Sequence, residues 1–368
     1  MKKILVVGAG KIGATIADFL DATGDYAVSL VDRDQAGLHR ADVADSVRKL
    51  QADIAEPGML RPLMDGHYAV LSAAPYHLTT TIARAAAEAG LHYLDLTEDV
   101  ASTRAVRDHA AGARTAFVPQ CGLAPGFVSI VAHDIARRFD ALDTIHLRVG
   151  ALPEFPSNAL GYNLTWSTDG VINEYIEPCE AIVAGERRMV PALEGLETLG
   201  VDGVTYEAFN TSGGLGSLCE TYAGAVRELN YRTIRYPGHA QAMKMLLRDL
   251  RLAERRDLLK DILEYAIPAT RQDVVLIFVT VSGRRDGRLM QESFVRRIHG
   301  DIVHGRPRTA IQITTAGAIC AVLDLLKDGH LPERGVVRQE DIALAAFLEN
   351  RFGRVYRGDR SPTPIHGA

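Results

Sequence analysis

The sequence lacks the patterns that define several large classes of protein. Its four cysteines are scattered, form no CxxC pair and have no histidine partners at a spacing that suits zinc. We therefore expect reduced, buried thiols and no bound metal. Basic charge is also not in excess, because the formal net charge is -5, and this argues against a nucleic-acid partner.

Long hydrophobic runs are missing as well. The apolar run at 274–281 has the length of a strand, well short of the roughly 20 residues that span a membrane. The first run, Ile4–Gly10, is too short for a signal peptide and leads directly into a glycine-rich turn. We therefore expect a cytoplasmic protein with no membrane partner. At about 150 residues per domain, the length predicts roughly two domains.

The N-terminal third carries a glycine motif in the context that a dinucleotide site requires. Ile4–Val7, an apolar run typical of a buried parallel strand, precedes the sequence Gly-Ala-Gly-Lys-Ile-Gly, and a helical pattern follows it. The three glycines permit a tight turn, a close approach to the pyrophosphate and close packing of helix on strand. The predicted cofactor contacts in this turn are Gly8, Gly10, Lys11, Ile12 and Gly13.

The choice of cofactor depends on the residue that ends the second predicted strand, Ala27–Val31. Asp32 stands there, where a carboxylate can bind the 2′-hydroxyl of an adenosine ribose. The same carboxylate would repel a 2′-phosphate, so the sequence favours NAD. Arg33 could accept that phosphate, which leaves NADP as the alternative. Further cofactor contacts are expected after the fourth strand, at Ala73, Ala74 and Pro75.

Strand and helix patterns continue to alternate up to residue 118, with strands at 51–53, 68–73, 93–96 and 115–118 and helices at 79–89 and 102–111. This alternation predicts an α/β fold, a doubly wound parallel sheet of the Rossmann type. We expect the dinucleotide-binding domain to comprise residues 1–122, with 309–368 returning to it. The tail from Arg357 is expected to be frayed.

Residues 123–308 are expected to form a second domain, for substrate binding and oligomerisation. A change in composition at Pro119–Gly126 precedes it, and glycine-rich turns separate its apolar runs. These features predict a mixed, mostly antiparallel α+β domain. Its predicted elements are a helix over 127–139, strands at 144–149, 181–183 and 274–281, a helix over 239–254, a hairpin at 285–287 and, beyond the domain, an apolar helix over 315–328.

Four segments together resemble the saccharopine dehydrogenase (glutamate-forming) family. They are the glycine motif with Asp32, then Cys121–Gly126, then Gly161–Ser167 with Gly170-Val171, and finally Thr211–Gly214 with Thr233–His239. Within the family they are most similar to the L-lysine 6-dehydrogenases. One departure concerns Thr168-Asp169, which stand where the saccharopine reductases carry an arginine. This difference favours a smaller, less acidic amino acid as the substrate.

The resemblance implies an NAD-dependent dehydrogenase that acts on a carbon–nitrogen bond of a basic amino acid. The favoured reaction is oxidative deamination of the ε-amine of L-lysine to the 6-semialdehyde, which cyclises. The alternative enzyme is a saccharopine- or carboxynorspermidine-type dehydrogenase or reductase. The non-enzymatic alternative is a dinucleotide-binding regulator, because a fold alone does not prove catalysis. A homodimer or homotetramer is expected by analogy.

Polar residues on these segments are the candidates for chemistry. His239 could accept a proton or orient the substrate, or it could cap the helix that it begins. Asp95 could bind the substrate ammonium, act as a base or cap a helix, whereas Glu98 and Asp99 are expected to cap the next helix. Arg235 could clamp the α-carboxylate or form a structural ion pair. The other candidate substrate contacts are Tyr76, Cys121, Tyr162, Thr211, Ser212 and Trp166, which could equally be a core aromatic.

Overall fold

The computed structural model describes residues 1–56 and 58–358 and divides the chain into two units. Unit 1 comprises residues 1–130 and 312–357, and unit 2 comprises residues 131–311 with Gly358. The predicted boundaries at 122 and 309 lie eight and three residues from these. Arg357 ends a 3-10 helix that begins at Gly353, and the rest of the tail predicted to be frayed, beyond Gly358, lies outside the described residues.

Unit 1 alternates strands and helices along the chain. Its elements are β1 (Lys2–Val7), α1 (Lys11–Asp21), β2 (Tyr26–Asp32), α2 (Gln35–Arg40), β3 (Arg48–Gln51), α3 (Leu60–Met64), β4 (Ala69–Ser72), α4 (Tyr76–Ala89), β5 (His92–Asp95), α5 (Val100–Ala110), β6 (Ala116–Val118) and the start of α6 (Phe127–Ala136). Its second part holds most of α11 (Ala310–Lys327), β17 (Gly335–Val336), a 3-10 turn (Gln339–Asp341) and α12 (Leu344–Glu349).

The sheet of unit 1 is parallel throughout, with strand order β17-β6-β5-β4-β1-β2-β3. The chain winds from β1 outward to β3 and then, through β4, to the opposite edge, which confirms the predicted Rossmann fold. The central strands are apolar because neighbouring strands and helices cover them. The third strand was predicted at 51–53 but runs from Arg48 to Gln51, because an edge strand can expose polar side chains.

The returning helix α11 belongs to the core. Within the described residues it is the one helix long and apolar enough to cross a membrane, yet 89% of that stretch is buried inside the protein. Its Asp324 accepts a hydrogen bond from the hydroxyl of Tyr26 on β2 at 2.6 Å and another from Arg351 at 2.8 Å. The same arginine lies 2.7 Å from Asp25, so these residues tie the C-terminal segment to the sheet.

Unit 2 follows with a longer series of strands. Its elements are β7 (Ala141–Pro153), α7 (Thr168–Ile176), β8 (Cys179–Val183), β9 (Glu186–Val190), β10 (Glu197–Val201), β11 (Val204–Asn210), α8 (Leu218–Thr221), β12 (Glu228–Arg235), α9 (His239–Lys244), α10 (Arg256–Ala266), β13 (Asp273–Arg285), β14 (Arg288–His299), β15 (Asp301–Val303) and β16 (Arg306–Arg308).

The main sheet of unit 2 has eight strands, of which β10-β11-β12-β7-β13-β14 form the continuous path. Only the β12–β7 pair is parallel, so the mixed, mostly antiparallel prediction is confirmed. The predicted hairpin is also confirmed, since Asp286 and Gly287 adopt positive φ angles of 51° and 73° between β13 and β14. Helices α7, α9 and α10 pack together in an apolar cluster around Phe209 of β11.

Several predicted helices have different bounds in the structure. The helix expected over 239–254 ends at Lys244, continues as a π-helix over Met245–Asp249 and stops at Arg251, whose φ is 54°. Helix α6 ends at Ala136, three residues before the predicted Phe139. In α11 the start was predicted five residues late, because the carboxylate of the distant Asp273 accepts the N–H groups of its first two residues.

Candidate active site

The glycine turn of unit 1 is shaped by two close approaches of the backbone. A Cβ on Gly8, which has a φ of 102°, would lie 2.6 Å from the carbonyl oxygen of Ala73 at the end of β4. A Cβ on Gly13 would lie 1.8 Å from the carbonyl oxygen of Gly8. Only glycine fits at these two positions, so β1, α1 and the end of β4 can pack together.

Gly10 differs from the other two glycines because a Cβ built on it meets no atom within 4 Å. Helix α1 begins directly after it, and Gly10 makes no side-chain cap. The first N–H groups of the helix, starting with Lys11 and Ile12, therefore adjoin open space where a pyrophosphate fits. This open space fits the dinucleotide that the motif predicts.

Asp32 lies beside the same turn. Its Oδ2 accepts the N–H of Ala9 at 2.7 Å, and its Oδ1 accepts the N–H of Asp34 at 2.9 Å. The carboxylate is therefore held at the end of β2 with part of its surface accessible, while the side chain of Arg33 is exposed. Ala73, Ala74 and Pro75 follow β4, which pairs with β1 on the side opposite β2, so the predicted cofactor contacts all lie at the carboxyl ends of neighbouring parallel strands.

Asp95, at the end of β5, is 1% exposed and its carboxylate oxygens are occupied. Oδ1 accepts the N–H groups of Thr97 at 3.0 Å and Gln120 at 2.9 Å, and Oδ2 accepts the hydroxyl of Tyr93 at 2.9 Å. Burial raises the pKa of Asp95 to about 6, against the effect of these hydrogen bonds. Its contacts tie the end of β5 to Gln120, whose φ is 64°; a role as base or ammonium ligand stays a prediction.

The cap of helix α5 is Asp99, whose Oδ1 accepts the N–H of Ser102 at 2.7 Å, as predicted. Glu98 is not that cap. It is partly exposed, and its pKa is raised to about 7 by burial and then by the charges of Asp99 and Asp95. A carboxyl that titrates near neutrality at the carboxyl end of a strand can exchange protons with a ligand.

The two other candidate substrate contacts in unit 1 are Cys121 and Tyr76. Cys121 is buried, its thiol lies 2.9 Å from the carbonyl oxygen of Val118, and burial raises its pKa well above the ordinary value. It is therefore a neutral thiol and not an activated nucleophile. Tyr76 begins α4, three residues earlier than predicted, and is half-buried beside the exposed ring of His77.

In unit 2 the central feature is the guanidinium of Arg235, which is 2% exposed. Its Nε donates to the hydroxyl of Tyr175 at 2.8 Å, its Nη1 donates to the carbonyl of Ile234 at 2.8 Å, and the Tyr162 ring lies 4.9 Å away. Burial would lower its pKa, but the two tyrosines and Glu174 raise it above the usual value. Among the described residues no carboxylate lies within 4.0 Å of this guanidinium, so it is charged, buried and without an ion-pair partner.

His239 lies beside this arginine and is 1% exposed. Its Nε2 is 3.0 Å from the Tyr175 hydroxyl, and its Nδ1 is 2.9 Å from the carbonyl oxygen of Leu160. Burial, followed by repulsion from Arg235, lowers the pKa of His239 to about 3. Both ring nitrogens are thus in use and the ring is neutral at physiological pH; direct proton transfer by His239 stays a prediction.

Several buried hydroxyls lie on the segments that flank this arginine. The hydroxyls of Tyr162, Thr165 and Thr211 are buried and have no hydrogen-bond partner in the part of the chain that the structure describes. Unpaired buried polar groups are costly, and a ligand that supplies partners relieves that cost. Ser212, next in the chain, is buried and donates its N–H to the carbonyl of Glu174 at 3.1 Å.

Trp166 packs on helix α7. A Cβ on Gly170 would lie 2.3 Å from the Trp166 ring, so this glycine makes room for the indole. The Trp166 ring is half-buried, which fits both of its predicted roles, a substrate contact and a core aromatic residue.

Sequence reasoning missed Tyr175 and Thr165 and treated Glu98 only as a cap. Tyr175 lies in the apolar helix α7, where the sequence pattern predicts that an aromatic residue belongs to the hydrophobic core. A signal was nevertheless present, because Asn173 and Glu174 interrupt that apolar pattern directly before it.

Comparison with known proteins covers nearly the whole chain. The saccharopine dehydrogenase NADP binding domain matches residues 4–118, and the saccharopine dehydrogenase C-terminal domain matches residues 122–354. The alpha-aminoadipic semialdehyde synthase of Mus musculus is 21% identical over 257 residues, 66% of this chain and 27% of that protein. The glutamate-forming saccharopine dehydrogenase of Saccharomyces cerevisiae, which uses NADP(+), is 22% identical over 177 residues, 46% of this chain and 40% of that protein. The chain thus spans less than half the length of these relatives.

The fold is also found in solved structures. Apo saccharopine dehydrogenase (L-Glu forming) from S. cerevisiae has a TM-score of 0.75 at 15% identity, covering 95% of this chain and 97% of that one. The homospermidine synthase of Legionella pneumophila, in complex with NAD, has a TM-score of 0.70 at 12% identity, covering 97% and 90%.

The Rossmann sheet with its glycine turn and Asp32 defines the class, that of the dinucleotide-binding Rossmann proteins. The chain belongs to the saccharopine dehydrogenase family. Members of this family are oxidoreductases that act on carbon–nitrogen bonds of amino acids. The predicted family and fold are therefore confirmed.

Proposed function

We propose that the protein oxidises the ε-amine of L-lysine with NAD, giving the 6-semialdehyde, which cyclises. The observation that carries this proposal is the buried guanidinium of Arg235. A buried charge without a partner is unfavourable, and a substrate carboxylate would supply the partner through two parallel hydrogen bonds. An α-amino acid bears such a carboxylate, and the family acts on amino acids.

The residues after Trp166-Ser167 favour lysine over a substrate with more carboxylates. Thr168 is buried, and Asp169 is exposed and forms an ion pair with Lys260 at 2.6 Å. Neither residue offers a cation to a further carboxylate. Saccharopine would need such a cation, whereas lysine carries one carboxylate and two amines.

The dinucleotide, when bound, would supply the acceptor for the hydride that leaves the ε-carbon of lysine. The ε-amine gives up a proton, and the resulting protonated imine adds water and releases ammonium, which leaves the aldehyde. The α-amine then attacks the aldehyde carbon and expels water to close the ring. Arg235 holds the α-carboxylate during these steps, and the turn at Gly8–Gly13 holds the pyrophosphate.

A proton acceptor is needed for the ε-amine. His239 is neutral but both of its nitrogens are hydrogen-bonded, and the oxygens of Asp95 are similarly occupied. Glu98 is partly accessible and has a pKa of about 7. We therefore propose Glu98 as the acceptor.

The proposed function is tested by steady-state assay of the purified protein. We expect reduction of NAD, followed at 340 nm, with L-lysine as the sole amino acid, and release of one ammonium per NADH. No turnover of lysine, combined with oxidation of NADPH in the presence of an aldehyde and an amino acid, would contradict the proposal.

That second outcome corresponds to the alternative function, a saccharopine- or carboxynorspermidine-type dehydrogenase or reductase. The matched NADP binding domain and the NADP(+)-dependent yeast relative favour it. Such an enzyme would join an amine to an aldehyde, reduce the imine and retain the nitrogen. Ammonium release distinguishes the two reactions.

The choice of dinucleotide is tested at Asp32. We expect Asp32→Ser to raise the ratio of kcat/KM for NADP over NAD by about 10- to 100-fold, because a like charge facing the 2′-phosphate is removed. Asp34→Ser is the matched control: Asp34 caps α2 through its side chain, a role that serine can keep, and the ratio should not change. An unchanged ratio in Asp32→Ser would show that Asp32 does not select the cofactor.

Glu98→Gln should have opposite effects on rate and stability. The pKa of Glu98 rises from 4.5 to about 7 on folding, so the folded state holds its proton more tightly and stability falls as pH rises between these values. The variant should therefore be more stable than the parent at pH 8, by about 1–2 kcal/mol, and equally stable at pH 4. It should also lose most activity, since the parent rate rises through pH 7 as Glu98 loses its proton.

Thermal unfolding and kcat/KM, measured between pH 4 and 9, check both effects. Glu88→Gln, on an exposed position of α4, is the control and should leave both profiles unchanged. An active Glu98→Gln variant with the parental pH profile would remove Glu98 from the mechanism.

A further inference from the structure

The hydrogen bonds around Arg235 form a chain whose direction is fixed. The carbonyl of Leu160 can only accept, so Nδ1 of His239 carries the ring proton. Nε2 of the neutral ring is then an acceptor, and it receives the proton of the Tyr175 hydroxyl. The oxygen of that hydroxyl keeps its lone pairs for the Nε–H of Arg235.

We propose that Tyr175 and His239 are positioning residues that orient Arg235 toward the α-carboxylate of the amino acid, and that His239 takes no proton from the substrate. The inference rests on the proposed function and describes how its substrate is recognised.

Three contacts restrain the guanidinium of Arg235. Tyr175 holds Nε, the carbonyl of Ile234 holds Nη1, and the ring of Tyr162 lies against the guanidinium. Within the described ranges Nη2 has no hydrogen-bond partner. The two N–H groups of Nη2 and the second N–H of Nη1 are therefore left for a carboxylate, and their direction depends on the Tyr175 contact. The neutral state of His239 fits this arrangement, since a protonated ring would turn the Tyr175 hydroxyl proton away from Nε2.

Two substitutions of His239 separate positioning from proton transfer. The terminal amide of His239→Gln can reach the place of Nε2 and keep an acceptor for Tyr175, whereas the shorter side chain of His239→Asn reaches only the place of Nδ1. We expect Asn to raise KM for L-lysine about tenfold or more and Gln to raise it less, with kcat within about threefold in both. A base would instead lose kcat about equally in both variants.

Tyr175→Phe tests the other member of the chain. It should raise KM for L-lysine as His239→Asn does, leave KM for NAD unchanged and add nothing further in an Arg235→Met background. With 1,5-diaminopentane, which has no carboxylate, KM should be the same for parent and variant. Tyr222→Phe is the matched control: it removes a hydroxyl 2.8 Å from His133 in the same unit and should leave KM unchanged.

An equal loss of kcat in both His239 variants, or a Tyr175→Phe variant with parental KM for lysine, would overturn the positioning role. Calorimetric titration of L-lysine into the protein in the presence of NAD distinguishes a failure of the positioning role from a failure of the proposed reaction. Lysine binding that Tyr175→Phe weakens, in a protein with no lysine turnover, would sustain the positioning role and reject the reaction. Normal turnover of lysine, with lysine binding unchanged in Tyr175→Phe, would sustain the proposed reaction and reject the positioning role.

Discussion

Arg235→Met is expected to raise KM for L-lysine about 100-fold or more while leaving the protein about as stable as its parent. The first effect follows from loss of the charged partner of the α-carboxylate, since truncating one partner of a buried charge pair costs about 2–5 kcal/mol of binding. The second follows because methionine removes a buried charge that has no carboxylate partner among the described residues. The free energy of unfolding should therefore change by no more than about 1 kcal/mol.

Arg148→Met is the matched control, because Arg148 is also buried but is paired. Its guanidinium contacts Glu197 and donates to Asn230 at 2.8 Å. Glu197 is partly exposed and keeps Arg232 as a partner, so loss of the Arg148 contacts should lower the free energy of unfolding by about 1.5–3 kcal/mol and leave KM for lysine unchanged. Chemical denaturation and steady-state kinetics on both variants provide the comparison. If Arg235→Met loses as much free energy of unfolding as Arg148→Met and retains the parental KM for lysine, the role of Arg235 is structural.

The second large effect is expected in the glycine turn, where Gly10→Ala and Gly13→Ala should separate binding from folding. At Gly13 the new Cβ would lie 1.8 Å from a backbone oxygen, so the chain must move and stability should fall by about 3 kcal/mol or more. At Gly10 the φ of -66° suits alanine and no protein atom is near, so stability should be unchanged or slightly higher. The added methyl group would instead occupy the space of the pyrophosphate.

Gly10→Ala should therefore weaken NAD binding by about 10- to 100-fold in a fully folded protein. Fluorescence titration with NADH and thermal unfolding without ligand measure the two quantities independently. A Gly10→Ala variant that binds NADH as tightly as the parent would place the pyrophosphate elsewhere.

The parallel sheet was predictable from sequence because its central strands, such as β1 and β4, are buried on both faces and form continuous apolar runs. The bounds of some helices were not, since they depend on contacts far away in the chain. The start of α11 is set by Asp273, 37 residues before Ala310. The end of α9 is set by a change to π geometry and by a left-handed Arg251, neither of which alters the spacing of apolar residues.

The candidate site was likewise predictable from sequence only in part. The positions of the predicted cofactor contacts in the fold were predictable, because these residues are local to one turn and to the strand ends beside it. Arg235 and His239 were found through the segment that contains them, but the link between them was not. That link is Tyr175, which is 60 residues from Arg235 and 64 from His239 in sequence.

The return of the C-terminal segment to unit 1 has a consequence for synthesis of the protein. Strand β17 pairs with β6 at the edge of the sheet, and α11 fills part of the same core. On the ribosome the first 130 residues therefore emerge with an incomplete core, whereas residues 131–311 are contiguous and can fold as soon as they are released. Unit 1 is accordingly the last to be finished, because its sheet is complete only after β17 has been translated.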